Sequence, residues 1–189
     1  PEFSYMKGNL KPAYGDKVKD LTRSMVFMDL FDDENYPAVL VVYDYVNSAN
    51  KNFKKTWLLH SELEPVVNEN TTTIVRTDNG LNGKLVNKTL MPTDDYVIEK
   101  IGGEGKEFWA DGNNWDTEDI SPKSMSDSGN WRIELSPTVA SEEDIFLNSM
   151  YVCDADKDLP ELPMFREKGA YYNGVTVKDR MVTFAKSPS

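Results

Sequence analysis

The chain holds one histidine and one cysteine in 189 residues, His60 and Cys153. A lone cysteine excludes an internal disulfide, and its apolar surroundings predict a small buried hydrophobe. One histidine and one cysteine cannot supply a His/Cys zinc site, which needs three or four such ligands. A Ser-His-Asp triad fails on geometry. Ser61 follows His60 directly, and adjacent strand residues point to opposite faces. Positive charge is also scarce, with 21 Lys and Arg against 32 Asp and Glu, a net charge of −11. Such a surface is a poor partner for nucleic acid or anionic membranes, whose binding rests on cations neutralising phosphates. No apolar run approaches the roughly 20 residues that span a bilayer, and the opening residues lack the pattern of a signal peptide. No segment of ten or more residues keeps a helical period either, so the chain reads as poor in helix.

What is present is β-structure. Hydrophobic residues make up 39% of the chain, enough for a packed core. Runs of β-branched and aromatic residues recur between Asn, Asp, Gly and Pro. Strands are predicted at 22–30, 38–46, 55–61, 72–78, 84–91, 96–101, 131–136, 145–154, 175–177 and 181–184. Residues 38–46 are nearly all apolar and predict a strand buried on both faces. Asn79-Gly80-Leu81-Asn82-Gly83 accepts positive φ cheaply and predicts a hairpin, and Lys178-Asp179-Arg180 predicts a tighter one. About ten strands with short turns predict an all-β fold, an antiparallel two-sheet β-sandwich, as one domain over residues 1–189. Residues 104–130 form a polar span too long for a simple turn and predict a functional or packing loop. Pro1-Glu2-Phe3 reads either as native sequence or as a cloning scar, since Glu-Phe is what a common restriction site encodes.

Several chemical patterns begin and fail. Asp154-Ala155-Asp156-Lys157-Asp158 opens like a calcium loop, but Leu159 and Phe165 stand where the EF-hand template needs Gly and Glu. Gly102, Gly103 and Gly105 lack the third glycine of a dinucleotide fingerprint, because position 108 is Phe. These glycines instead predict a loop passing close to packed aromatics. Lys51, Lys54 and Lys55 form the one tight basic cluster and read as a solvated strand end. Asn70-Thr71-Thr72 and Asn87-Lys88-Thr89 match glycosylation sequons. Trp109, Trp115, Tyr171 and Tyr172 fall in or beside predicted loops, with His60 on a nearby predicted strand. Two readings are open for the rings: stacking on sugar faces, or pinning loops to the core. No catalytic residue, metal ligand or cofactor is assigned.

One further signal is the order of several segments. Phe3 to Leu10 with Ala13-Tyr14 carries a Tyr-x-x-Gly-Asn version of a Tyr-x-x-Gly-Asp pattern, with Asn9 at the Asp position. Arg23-Ser24-Met25-Val26-Phe27 precedes a valine-rich strand that contains Asp44. Lys55-Thr56-Trp57-Leu58-Leu59-His60 gives Lys-x-Trp-x-x-His, and residues 102–109 give Gly-Gly-x-Gly-x-x-Phe-Trp. Trp131 to Pro137, Gly174-Val175 and Val182-Thr183-Phe184 follow. In this order they resemble the C-terminal β-domain of the heparinase II/III-like polysaccharide lyases.

The resemblance implies a β-sandwich that accompanies a catalytic α/α toroid domain in a longer parent chain. It implies cleavage of uronate-containing acidic polysaccharides, such as glycosaminoglycan or alginate, by β-elimination, in a periplasmic or extracellular setting. The family's base and acid, usually Tyr and His, and its zinc-holding His-x-His and Asp lie upstream of the matching segment. No counterpart of them is present, so the resemblance implies a portion without catalytic residues. His60 matches a family strand position without an attached role. Two other readings stand beside this one. The first is a carbohydrate-binding module acting through the loop aromatics. The second is a ligand-free structural module, which would expose an apolar patch where a missing domain docks.

Overall fold

The computed structural model describes residues 2–31, 33–115 and 130–186. In chain order they form β1 (Phe3–Asn9), a one-turn helix α1 (Lys11–Tyr14), β2 (Val18–Asp29), β3 (Ala38–Ser48) and β4 (Trp57–Ser61). Next come β5 (Val66–Asn68), β6 (Thr71–Arg76), β7 (Gly83–Met91) and β8 (Tyr96–Gly102). A two-residue pair, β9 (Trp109–Ala110) and β10 (Asn113–Asn114), precedes β11 (Trp131–Pro137) and β12 (Glu143–Cys153). The last three are β13 (Met164–Lys168), β14 (Tyr172–Val177) and β15 (Arg180–Ala185).

Seven strands form one large antiparallel sheet in the order β1-β2-β3-β12-β7-β6-β5. Two three-stranded sheets, β4-β11-β8 and β13-β14-β15, accompany it. Side-chain alternation on the large sheet explains where they sit. On β3, Val39, Val41, Tyr43 and Tyr45 point into one core, with Val175, Val177 and Phe184 of the β13-β14-β15 sheet. Val42 and Val46 point into a second core, with Trp57, Ile133 and Leu135 of the β4-β11-β8 sheet. The same split runs through β12, where Leu147 and Tyr151 face the first core and Phe146 and Met150 the second. The antiparallel sandwich therefore has a small sheet against each face of the large one. That is why β3 reads as a continuous apolar run, as its sequence predicted. In the first core the Tyr43 ring stacks on Phe184, with centroids 4.7 Å apart and planes 8° from parallel.

The turn chemistry follows the sequence. Arg76 pairs with Gly83 across a loop in which Asn79 and Gly80 take positive φ. Val177 pairs with Arg180 across a two-residue turn with Lys178 at φ 56°. Cys153 is a free, buried thiol in the first core. Asn87 is fully buried and donates from Nδ2 to Asn148 Oδ1 at 3.3 Å, so the second sequon offers no surface attachment point. Asn70 Nδ2 donates to the Thr89 carbonyl at 2.9 Å.

The structure adds strands that periodicity does not reveal, β1, β5, β9, β10 and β13. β1 is an outer strand of the large sheet, and its side chains are largely exposed. Phe3 and Tyr5 point to one side and Met6 to the other, and all three are exposed. Phe3 pairs with Met28, and the Asp29 N–H donates to the Glu2 carbonyl at 3.0 Å, so the chain is in the sheet from its second residue. Of the long polar span, residues 116–129 lie outside the described residues. Its first part folds into the β9–β10 hairpin.

Candidate functional site

Within β4 the side chains alternate, with Trp57 and Ser61 buried and Leu58 and His60 exposed. The register with β11 and β8 then builds the outer face of this sheet in rows. His60 stands opposite Arg132, and Arg132 opposite Ile101. Leu58 stands opposite Glu134, and Glu134 opposite Glu99.

Arg132 organises this face. Its Nε donates to Glu134 Oε1 at 2.8 Å, and its Nη2 donates to the Trp109 carbonyl at 2.6 Å. Charge-assisted bonds of this kind are about twice as strong as neutral ones. Arg132 thereby ties the β9–β10 hairpin, and with it Trp109, to the sheet beside His60. The hairpin has its own supports. Phe108 N–H donates to Asn114 Oδ1 at 2.8 Å, and Asn114 Nδ2 donates to Glu107 Oε2 at 3.2 Å. The Glu107 carboxyl lies below its ordinary range, first because of its own backbone N–H and then that of Gly105. The Trp115 indole N–H donates to the Ala110 carbonyl at 3.1 Å, while 57% of the residue faces solvent. Lys106 Nζ lies 5.6 Å from the Trp109 ring centroid, a cation–π distance.

The glycines ahead of the hairpin do what the sequence predicts of them. Gly102 has φ 150°, and a Cβ there would fall 2.3 Å from the Asn130 carbonyl oxygen. Gly103 has φ 79°, and a Cβ there would fall 2.8 Å from the Trp131 ring. Only glycine lets the chain cross Trp131 this closely. Gly103→Val is expected to cost about 2 kcal/mol through this overlap and to displace the hairpin. Thermal unfolding followed by tryptophan fluorescence checks this, and an unchanged melting curve would refute it.

Tyr171 and Tyr172 belong elsewhere. Tyr172 opens β14 and Tyr171 directly precedes it, in the sheet on the opposite face of the large one. Tyr171 is 87% exposed, and the Tyr172 ring lies where a Cβ on Gly169 would be, 2.2 Å from its Cε1. The structure thus links the Trp109 hairpin to Arg132, the cross-strand partner of His60, and places Tyr171 and Tyr172 by a different sheet.

The basic cluster is not a solvated strand end throughout. Lys55 is nearly buried and pairs with Asp144 at 2.8 Å, and it also donates to the Ser141 carbonyl. Exposed Lys54 reaches Glu134 at 3.5 Å and Glu99 at 3.7 Å. In the acidic loop, Asp154 pairs with Lys157 at 2.8 Å and Asp156 accepts from Asn82 at 2.8 Å. Among the described residues no group of three or more His, Cys, Asp or Glu side chains is placed to hold a metal ion.

A second feature escaped residue-by-residue reading. Arg23 and Asp44 are direct cross-strand partners on β2 and β3. Arg23 Nε and Nη2 donate to the two Asp44 oxygens, each at 2.7 Å. Burial pushes the Asp44 carboxyl up, and Arg23 pulls it partly back. The Arg23 guanidinium is raised in turn, first by its hydrogen bonds to Asp44. The pair lines a cleft of about 450 Å³ together with Tyr14, Lys17, Phe53 and Trp57.

Comparison with known proteins places this architecture. No protein-family model matches the sequence, and no curated protein does. The crystal structure of heparan sulfate lyase HepC from Pedobacter heparinus does match in three dimensions, with a TM-score of 0.58 at 16% sequence identity. The chain has the fold of one part of a heparan sulfate lyase. The match covers 100% of this chain and 27% of that one, so the likeness is to a segment of a much longer protein. Among the described residues no helix is long and apolar enough to cross a membrane.

Proposed function

We propose that this chain is the non-catalytic β-sandwich domain of a heparinase II/III-type polysaccharide lyase. It serves as the scaffold for a catalytic α/α toroid in the same parent chain. The parent cleaves a uronate-containing acidic polysaccharide by β-elimination, outside the cytoplasm. The observation that carries this reading is the fold match, which spans the whole chain but about a quarter of a heparan sulfate lyase.

The chemistry of the surface supports the non-catalytic part. Elimination needs a base at the sugar C5, a group to neutralise the adjacent carboxylate, and an acid at the leaving oxygen. Arg132, the cation nearest His60 in the register, is already engaged by Glu134 and the Trp109 carbonyl. The exposed apolar side chains of β1 support a docked neighbour, as a scaffold requires. A purified chain that releases unsaturated uronate product from an acidic polysaccharide would overturn this reading.

One observation favours glycan recognition as a second reading. Trp115 is exposed beside a hairpin that Arg132 and the Gly102–Gly103 crossing hold in place. A fixed aromatic ring is a stacking platform for a sugar face. Trp115→Ala is then expected to weaken glycan binding about tenfold with no change in melting temperature. Titration of acidic and neutral polysaccharides against tryptophan fluorescence measures it. Equal affinity in the variant and the parent would count against recognition at this hairpin.

A further inference from the structure

A cleft of about 580 Å³ runs between β15 and the β1–β2 end of the large sheet. The pattern of its walls is informative. β15 lines it with six consecutive residues, Arg180 to Ala185, so this strand meets the cleft edge-on. β1 lines it with the alternate residues Phe3, Tyr5 and Lys7, and β2 with alternate residues from Thr22 to Met28, so these two meet it face-on. A strand edge on one side and a sheet face beneath enclose the space that a fourth strand of the β13-β14-β15 sheet would fill.

The main chain of β15 is free to pair there. Val177 and Arg180 close a two-residue turn, so Arg180, Val182 and Phe184 direct their N–H and C=O groups to β14. Met181, Thr183 and Ala185 direct theirs to the cleft. The Ala185 carbonyl accepts from the Tyr43 hydroxyl at 3.2 Å. Among the described residues nothing engages the N–H and C=O of Met181 and Thr183, or the Ala185 N–H. Beneath them Phe3 is 62% exposed and Tyr5 53%. The ends of the cleft are positive. Arg180 lies at the Phe3 end, where it donates to the Asp29 carbonyl, and Lys7 lies at the other. Neither forms an ion pair among the described residues, and Glu2 is the single carboxylate among the lining residues.

We propose that this cleft binds an extended segment of a partner protein, which adds to β15 as a fourth strand. The walls define its chemistry. Two alternate side chains, opposite Val182 and Phe184, face Phe3 and Tyr5 and are apolar. The next inward positions on either side reach Arg180 and Lys7 and carry carboxylates. Main-chain pairing supplies the affinity and the alternate side chains the specificity, as in other strand additions. A second copy of this chain is a poorer occupant, because each copy carries a net −11. The site does not rest on the lyase reading, since the free edge calls for a strand whatever the parent chain cleaves.

The test is an amide chemical-shift titration with the capped peptide Glu-Thr-Val-Thr-Val-Thr-Glu. Saturable shifts and slowed hydrogen exchange are expected at Met181, Thr183 and Ala185. The same peptide N-methylated at its three threonines keeps the side chains and loses the donors that face β15. A version with lysine at both ends reverses the charge. Each is expected to bind at least about tenfold more weakly. Phe3→Ser changes an exposed residue, so it is expected to melt as the parent does while losing about tenfold in affinity. Thr183→Pro removes an N–H that faces the cleft and none that faces β14, and is expected to abolish the protection at Met181 and Ala185. The proposal is overturned if the three amides show no saturable shift, or if either control peptide or Phe3→Ser binds as tightly. Protection of these amides by raised chain concentration alone would make the occupant a second copy and would equally overturn it.

Discussion

Replacing Arg23 by alanine is expected to destabilise the chain by about 3 kcal/mol at neutral pH. Asp44 is 4% exposed, and its charge is held by the two bonds from Arg23. Without them a buried carboxylate stays in the sheet with no counter-charge. The figure sits at the low end for a broken buried pair because Arg23 itself is partly in water. The loss carries a pH signature. Burial already raises the Asp44 pKa above its ordinary 3.8, and Arg23 opposes that rise. Removing Arg23 removes the opposition, so the folded pKa climbs further. A carboxyl with a raised folded pKa contributes stability that is fully present below the unfolded value and lost as pH rises through the folded one. The deficit of Arg23→Ala is therefore largest at neutral pH and shrinks towards pH 4. Urea unfolding of variant and parent at both pH values measures it, and an equal deficit at the two would contradict the account. Asp44→Asn is expected to be milder, because it removes the buried charge and leaves Arg23 open to solvent.

Ile133→Ala is expected to cost about 4 kcal/mol, the larger of the two effects at any pH. Ile133 is fully buried in the middle of β11, within the second core that also holds Val42, Val46, Trp57 and Phe146. Truncation removes apolar area and leaves a cavity between two sheets that close packing prevents from collapsing. The matched control is Leu58→Ala on the outer face of the same sheet. Leu58 is 46% exposed and is expected to change stability by less than about 0.5 kcal/mol. Denaturant midpoints for the pair test the layered architecture directly. Similar midpoints for both variants would mean that the β4-β11-β8 sheet does not pack on the large one.

Much of the fold can be read in the chain because its central strand announces itself. Val39 to Val46 has no polar face, and the structure gives each face a core of its own. Gly102 and Gly103 were readable for a similar reason, since paired glycines before aromatics imply a close crossing, here over Trp131. β1 was not readable. Its apolar residues are exposed on both sides, so no alternation of burial shaped its sequence. Only its full register with β2 makes it a strand. Candidate sites were harder still. Trp109 and Tyr171 look alike as loop aromatics, and nothing local says that they lie on opposite faces of the large sheet. Arg23 and Asp44 stand 21 residues apart and meet only once β2 and β3 fix their register. Arg132 belongs to the Trp131 to Pro137 segment of the resemblance, but its bond to the Trp109 carbonyl has no sequence signal, because the fold brings that carbonyl to it.

The most direct measurement is lyase activity of the purified chain on heparan sulfate, other glycosaminoglycans and alginate, with unsaturated uronate product as the readout. The scaffold role proposed for this chain predicts that it releases none from any of them, at any pH tested. Product from even one, at a rate that scales with chain concentration and falls on His60→Ala, would contradict the account and move the catalytic centre onto this chain.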